Sequence, residues 1–145
     1  MINIHQTSIE EIYPLTLQVP EFAPHYSIEK FYERLGNRPY LILQADIGGE
    51  TAGFKVGYEV ESGIFYSWVG GVLPDFRKKG VARALADEME VWLRARAYHT
   101  LRMKTHNKFR NMLLFAIGND FEITGVEKRE NIAENRILLE KKLLS

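Results

Sequence analysis

Residues 66–96 constrain the fold most, because they combine a strand, a basic turn and a helix with no linker between them. Arg77, Lys78 and Lys79 lie in the turn, and Gly80 ends it immediately before the helix. The first N–H groups of a helix have no intrahelical acceptors, and the helix dipole adds positive charge at the same end. The pattern therefore predicts a site for a phosphate-like anion at the start of this helix.

Two short helices are expected near the N-terminus, each preceded by a serine cap. Ser8, with Glu11 three residues later, matches a capping box, and Pro14 should kink or shorten the helix that follows. Ser27 is expected to cap a second helix over residues 28–35.

Seven segments have the apolar or alternating pattern of strands. They are residues 2–5, 39–45, 51–59, 64–72, 100–105, 121–126 and 136–143. Tight turns at 48–49 and 62–63 should make the second, third and fourth strands antiparallel neighbours. The strand, helix and strand over residues 64–105 predict a βαβ crossover with parallel strands. The sequence therefore predicts an α/β (α+β) fold over residues 1–145 as a single domain. The sheet should be mixed and mostly antiparallel, with six to seven strands and helices on both faces.

The helix after the basic turn is expected to span residues 81–97 and to be amphipathic. Val81, Leu85 and Met89 recur at helical spacing and should face the core. Glu90 should face water with the other charged residues of this helix. A further apolar helix is expected over residues 112–117.

A pair of glycines lies late in the strand that precedes the basic turn. Gly70 and Gly71 weaken a strand unless a bulge or a close backbone approach requires them. A bulge at this pair would splay the strand away from its parallel neighbour and open a cleft towards the start of the helix. A basic turn alone is more typical of solvated surface charge. The turn residues Pro74 and Asp75, the small residues at 80–82 and the glycine pair together favour a binding site.

Composition excludes several classes of protein. Lysine plus arginine equals aspartate plus glutamate at 19 each, so the chain lacks the basic surplus of a sequence-independent nucleic-acid binder. The absence of cysteine excludes disulfides, thiolate zinc sites and a cysteine nucleophile. No histidine pair has the helical spacing of a metal site, so no metal is expected. No apolar run approaches the ~20 residues that span a bilayer. We expect a cytoplasmic protein with neither nucleic-acid nor membrane partners.

Residues 72–82, Val-Leu-Pro-Asp-Phe-Arg-Lys-Lys-Gly-Val-Ala, resemble the acyl-CoA signature of the GNAT superfamily of N-acetyltransferases. The surrounding order of elements is similar over most of the chain and implies a splayed pair of parallel central strands. The resemblance implies acetyl-CoA (coenzyme A) as co-substrate. Its pyrophosphate would be held by the turn and helix start, at Arg77, Lys78, Lys79, Gly80, Val81 and Ala82. The pantetheine arm would pair with backbone groups of Gly70 and Val72, with Asn107 or Asn111 nearby.

The implied reaction is direct attack of a primary amine on the thioester carbonyl. An amine with a pKa of about 10 must first lose a proton. The strand over residues 64–72 contains no carboxylate, so Tyr66 is the candidate for a water-assisted proton relay. A tyrosine at this position is at least as typical of the core or of a pocket wall. Phe22, Tyr26 and Trp68 are candidates for the acceptor wall, although aromatics at such positions are equally typical of core.

The family's usual tyrosine, which protonates the leaving thiolate, is missing here. Ala116 occupies its position and Asp120 that of a following glycine. The alternative to an enzyme is therefore a non-catalytic acyl-CoA-binding sensor or regulatory module. The acceptor of an enzyme would be a small-molecule or protein amine, and similar proteins often form homodimers.

Overall fold

The computed structural model describes residues 1–143 and contains a seven-stranded mixed sheet. The strands are β1 (Ile2–Gln6), β2 (Tyr40–Ile47), β3 (Glu50–Glu61), β4 (Ile64–Val72), β5 (Thr100–His106), β6 (Glu122–Glu127) and β7 (Arg136–Lys142). Their order across the sheet is β1-β2-β3-β4-β5-β7-β6. Only the β4–β5 pairing is parallel among these neighbours. The predicted mixed, mostly antiparallel sheet is confirmed, as is the βαβ crossover.

In the described part of the chain, four α-helices accompany the sheet: α1 (Ile9–Thr16), α2 (Ile28–Leu35), α3 (Val81–Ala95) and α4 (Arg110–Gly118). Both predicted serine caps are confirmed, because Ser8 accepts from the Glu11 N–H at 3.3 Å and Ser27 from the Lys30 N–H at 3.2 Å. The expected end of α3 at residue 97 is two residues too late. Ala97 has a φ of +62°, a left-handed conformation that cannot continue a right-handed helix.

The helices cover both faces of the sheet. On one face, α1 and α2 pack over β2, β3 and β4 in a core that includes Phe31, Phe54 and Val56. On the other face, α3 packs through Leu85 and Met89, and α4 packs separately against β7. Two layers of helices therefore enclose the sheet, while the space between α3 and α4 lies over the β4–β5 pair.

The bulge in β4 lies at Trp68, not at the predicted glycine pair. Val69 pairs with Val56 and Ser67 with Gly57, which leaves Trp68 without a partner in β3. Gly71 serves a close approach instead, because a Cβ there would lie 2.9 Å from Cγ2 of Val19. The glycine pair thus marks tight packing next to the bulge.

The parallel β4–β5 pairing ends where the bulge begins. It runs from the pair Ile64–Thr100 to the pair Ser67–Met103 and no further. β5 continues to His106 on β7, whereas β4 continues to Val72 on β3. The two central strands therefore diverge and leave a gap that opens towards the start of α3, as predicted.

Glu90 is buried, which corrects the expectation that it faces water. Its carboxylate lies 3.1 Å from the Arg94 guanidinium and 3.0 Å from the Lys141 ammonium. Lys141 belongs to β7, so this position of α3 faces the sheet and Glu90 joins the helix to it. Helical spacing alone could not reveal the lysine that reaches Glu90 from a distant strand.

Candidate functional site

A cavity of about 1230 Å³ occupies the gap between the diverging strands. Its walls come from the connection between α1 and α2, the second half of β4, the start of α3, the end of β5 and the inner face of α4. This volume exceeds the range of about 300–1,000 Å³ that is usual for small-molecule sites. The bulge and the end of the parallel pairing therefore create the site.

One end of the cavity is a run of free backbone donors at the start of α3. Within residues 1–143, the N–H groups of residues 78–83 donate no backbone or side-chain hydrogen bond. Lys78 and Gly80 have φ values of +63° and +85°, so the chain turns through the left-handed region just before the helix. Free donors at the positive end of a helix dipole are the features on which the predicted anion site depends, and binding of an anion there stays a prediction.

Three basic side chains in this turn have different surroundings. Arg77 donates from both terminal nitrogens to Glu21 at 2.9 Å and from Nε to the Val72 carbonyl at 3.1 Å. This pairing lowers the pKa of the Glu21 carboxyl. Lys78 lines the cavity, whereas Lys79 does not. Arg77 therefore fastens the turn to the α1–α2 connection, and its role as a phosphate ligand stays a prediction.

The cavity wall between the anion end and the bulge is mainly backbone. Gly70 and Val72 of β4 line it, on the edge that has lost its pairing with β5. Of the two predicted asparagines, the structure brings only Asn111 to this cavity. The Asn107 side chain instead donates to the Ile132 carbonyl at 3.3 Å and holds the connection between β6 and β7.

Aromatic side chains form the far wall, on the α1–α2 side of the sheet. Trp68 lies at the centre, stacked on Tyr26 at 5.7 Å and in contact with Phe31 at 5.0 Å between ring centroids. Phe22 also lines the cavity and packs edge-on against Phe54 at 5.9 Å. The three predicted wall residues thus all reach the cavity, while Trp68 also belongs to the core.

Tyr66 lines the cavity beside this wall. Burial, and then the neighbouring Tyr58 hydroxyl, raises the pKa of Tyr66 to about 12, although Arg136 and Arg34 oppose the shift. The phenol therefore stays protonated at neutral pH and is a hydrogen-bond donor. His106 lines the same cavity, and burial lowers its pKa, so its imidazole is mostly neutral at pH 7.

Two arginines that sequence reasoning missed face the cavity near Tyr66. The Arg34 guanidinium lies 4.8 Å from the Trp68 ring centre and donates to the Tyr58 hydroxyl at 3.2 Å. Arg136 is the first residue of β7 and lies opposite His106. Among the described residues, no carboxylate lies within 4.0 Å of either guanidinium. Arg102, by contrast, is paired with Glu140 at 2.8 Å.

Lys55 of β3 is a further residue that sequence reasoning missed. It lies between Gly53 and Gly57, which face α3, and its side chain lines the cavity. Burial lowers the pKa of this amine to about 8, while Glu90 opposes the shift. A lysine flanked by two buried glycines in a central strand is the sequence signal that could have identified it.

The α4 wall of the cavity supplies no proton donor of the usual kind. Ala116 is buried there against Ile137 and Leu139. Its neighbours in the wall, Met112 and Phe115, carry no ionisable group. Arg110, at the start of α4, also lines the cavity, but a guanidinium does not release its proton in proteins. A proton donor on this side of the cavity must therefore come from another element.

Residues 1–143 lack two features that would point to other classes of function. None of the described helices is long and apolar enough to cross a membrane. No group of three or more histidine, aspartate or glutamate side chains in this part of the chain is arranged to hold a metal ion.

Comparison with known proteins gives a consistent family assignment. The model of the acetyltransferase (GNAT) family matches residues 7–115. An acetyltransferase of Yersinia enterocolitica is 30% identical over 141 residues, covering 96% of this chain and 92% of that protein. An acetyltransferase of Sodalis glossinidius is 31% identical over 117 residues, covering 80% and 72%.

Solved structures share the fold over nearly the whole chain. A ribosomal-protein-alanine N-acetyltransferase from Escherichia coli superposes with a TM-score of 0.85 at 19% identity, over 99% of this chain and 94% of that one. A GNAT family acetyltransferase from Elizabethkingia anophelis, solved with acetyl-CoA bound, has a TM-score of 0.79 at 20% identity, over 97% of each chain. These likenesses concern the arrangement of helices and strands.

Proposed function

The chain belongs to the acetyltransferase (GNAT) family, and from this premise we propose that it transfers the acetyl group of acetyl-CoA to a primary amine. Acyl transfer from acetyl-CoA is the activity of the family. The observation that carries the proposal is the run of free N–H groups at residues 78–83, which opens into the gap between β4 and β5. The test is thiol release from acetyl-CoA in the presence of amines.

The residues present fit a long thioester co-substrate with a pyrophosphate. The donors at Lys78, Gly80, Val81 and Ala82 would hold the pyrophosphate, since they face the cavity and have no acceptors of their own. The free edge of β4 at Gly70 and Val72 would receive the pantetheine amides as an added strand does. Acetyl-CoA supplies the activated acetyl group, and the protein supplies position and proton transfer.

Direct attack by the amine requires a proton acceptor and a hydrogen-bond donor for the thioester carbonyl at the far wall. The amine must lose a proton, and the thioester carbonyl must be polarised as it is attacked. Free backbone N–H groups on the splayed part of β4 suit the second task. For the first, we propose that Tyr66 orients a water molecule as a donor, with the neutral His106 as the final proton acceptor. The raised pKa of Tyr66 rules it out as a base at neutral pH.

Tyr66→Phe is expected to lower kcat about tenfold and to leave the affinity for acetyl-CoA within about twofold. The change removes one hydroxyl from the water relay and keeps the ring that packs on Tyr58 at 5.6 Å. Steady-state rates and calorimetric titration measure the two quantities. Tyr98→Phe is the matched control, because its hydroxyl donates to Glu59 at 2.8 Å and it lies outside this cavity. An unchanged kcat for Tyr66→Phe would remove Tyr66 from the relay.

The charge of the acceptor wall favours an amine that also carries a carboxylate. Arg34 and Arg136 flank Tyr66 without carboxylate partners among residues 1–143. Stacking on Trp68 and donation to Tyr58 hold Arg34 in place before any ligand arrives. Guanidinium groups bind carboxylates in a forked geometry. We therefore propose an acceptor of the amino-acid or short-peptide class, in which an amine and a carboxylate are close together.

Arg136→Gln is expected to raise KM about tenfold for an amine that bears a carboxylate and to leave KM unchanged for its neutral amide. The loss corresponds to one hydrogen-bonded charge pair. Matched acceptors such as an amino acid and its amide measure the difference. Arg129→Gln serves as the control, since Arg129 is exposed on the β6–β7 connection. Equal effects on both acceptors would contradict a carboxylate site at Arg136.

The second candidate function is a non-catalytic acyl-CoA sensor. Ala116 at the usual tyrosine position and the lack of a carboxylate in β4 favour it. Both candidates predict acetyl-CoA binding, whereas only the enzyme predicts thiol release that depends on an added amine. The same assay therefore separates them.

A further inference from the structure

Lys55 is an amine in the cavity that has no ion-pair or hydrogen-bond partner for its side chain within residues 1–143. Its side chain faces α3, on the same side as Gly53 and Gly57, and a Cβ at Gly70 would lie 3.4 Å from its Cγ. The missing side chain at Gly70 thus leaves room beside the lysine, at the backbone proposed to receive the pantetheine arm. Both residues line the cavity.

The surroundings of Lys55 do not neutralise its charge. Within residues 1–143 its ammonium has no carboxylate within 4.0 Å and makes no side-chain hydrogen bond. Glu90 of α3 is the carboxylate whose charge acts on Lys55. Arg94 and Lys141 already bind this carboxylate. An uncompensated ammonium in a largely enclosed position destabilises the fold. Lys55 therefore contributes nothing evident to stability and is poised to act on a ligand.

We propose that the Lys55 ammonium protonates the thiolate that leaves when the acetyl thioester is cleaved. This proposal rests on the proposed acetyl transfer. It places the acid on β3, across the cavity from Ala116, because the α4 residues beside Ala116 in the cavity wall, Met112 and Phe115, carry no ionisable group. An amine thereby takes the place of the tyrosine phenol that is usual in the family and that this chain replaces with Ala116.

The step balances in atoms and protons. A bond forms between the acceptor nitrogen and the acetyl carbon, and the bond from that carbon to sulfur breaks with its electron pair on sulfur. The sulfur takes one proton from the Lys55 ammonium and leaves as a thiol. Lys55, now a neutral amine, regains a proton from the acceptor nitrogen through water or from the solvent. No oxidant, metal or further co-reactant takes part.

The acidity of Lys55 suits this task. Burial lowers its pKa to about 8, which is close to the value of about 8 to 9 for an ordinary thiol. At pH 7 about nine-tenths of the amine is still charged and able to donate a proton.

The charged groups that face Lys55 from α3 and β7 are Glu90 and its partners Arg94 and Lys141. Arg83 and Arg110 also line the cavity, at the starts of α3 and α4. The strand residues paired with Lys55, Gly70 of β4 and Leu43 of β2, are uncharged.

The test is Lys55→Met, which keeps the length of the side chain and removes the acid. We expect kcat to fall about 100-fold, acetyl-CoA affinity to stay within about threefold, and thermal stability to rise because an uncompensated charge is lost. In the wild type, the rate per unprotonated acceptor should fall as pH rises above 8, since the ammonium is then lost. In Lys55→Met this decline should disappear.

A measurement without turnover accompanies the kinetics. Titration of the Lys55 side chain by NMR in the free protein should give a midpoint near pH 8. Lys128→Met is the matched control, because Lys128 is exposed on the connection between β6 and β7 and does not line the cavity. A kcat for Lys55→Met within threefold of wild type would overturn the proposal, as would a loss confined to acetyl-CoA affinity. A wild-type protein that shows no amine-dependent thiol release would contradict the proposed acetyl transfer itself. That outcome is distinct from a wild type that is active and a Lys55→Met variant that is equally active.

Discussion

Replacing Gly80 with glutamate is expected to weaken acetyl-CoA binding about a thousandfold. Gly80 has a φ of +85° at the start of α3, where other residues are strained. The new carboxylate would also stand among the donors proposed to hold the pyrophosphate, and close like charges cost several kcal/mol. A Cβ at this position would come no closer than 4.0 Å to Ile2, so crowding is not the cause. Calorimetric titration with acetyl-CoA measures the effect.

Gly48→Glu separates strain from charge in this experiment. Gly48 has a φ of +57° in the hairpin between β2 and β3, with nothing within 4 Å of an added Cβ. The Gly48→Glu substitution introduces the same side chain in a similar backbone conformation, away from the cavity. We expect its acetyl-CoA affinity to match the wild type. An affinity for Gly80→Glu within tenfold of wild type would mean that the anion site lies elsewhere.

Leu93→Ala should lower the free energy of unfolding by about 3 kcal/mol. Leu93 of α3 is fully buried, with 0% of its surface exposed, in the core cluster shared with Phe65 and Met89. Truncating a buried leucine loses transfer free energy and leaves a cavity, which together cost about 2–5 kcal/mol. Urea unfolding, followed by far-ultraviolet circular dichroism, gives the change from the shift in midpoint at constant slope.

The matched control is Leu114→Ala. Leu114 lies in α4 and is 68% exposed, so the same truncation in a helix should change stability by less than about 0.5 kcal/mol. Because helix propensity changes equally in the two variants, the difference reports burial alone. Equal effects at the two leucines would contradict the packing of α3 on the sheet.

Local rules predicted the features that lie within a few residues of their cause. The caps at Ser8 and Ser27, the hairpin at Gly48 and the strand, turn and helix around Gly80 each depend on neighbours in sequence. The order of these elements then required a parallel β4–β5 pair, and the resemblance supplied the rest of the sheet.

Contacts between distant segments were beyond the same reasoning. Arg77 is held by Glu21 and Glu90 by Lys141, and in both pairs the partners are far apart in the chain. The bulge at Trp68 depends on how β3 pairs with β4. The glycine pair from which a bulge was predicted has another cause, because Val19 leaves no room for a side chain at Gly71. The arginines near Tyr66 were missed for the same reason, because α2, β4 and β7 meet there only in the folded chain.

The most direct test of acetyl transfer is to measure thiol release from acetyl-CoA while a panel of primary amines is varied. The panel should contain amino acids and short peptides with their matched amides, and mass spectrometry should follow the acceptors. We expect thiol release that depends on the amine, equals the acetylated product in amount, favours carboxylate-bearing acceptors and disappears in Gly80→Glu. Tight binding of acetyl-CoA with no amine-dependent thiol release across the panel would contradict the proposed enzyme and favour the sensor.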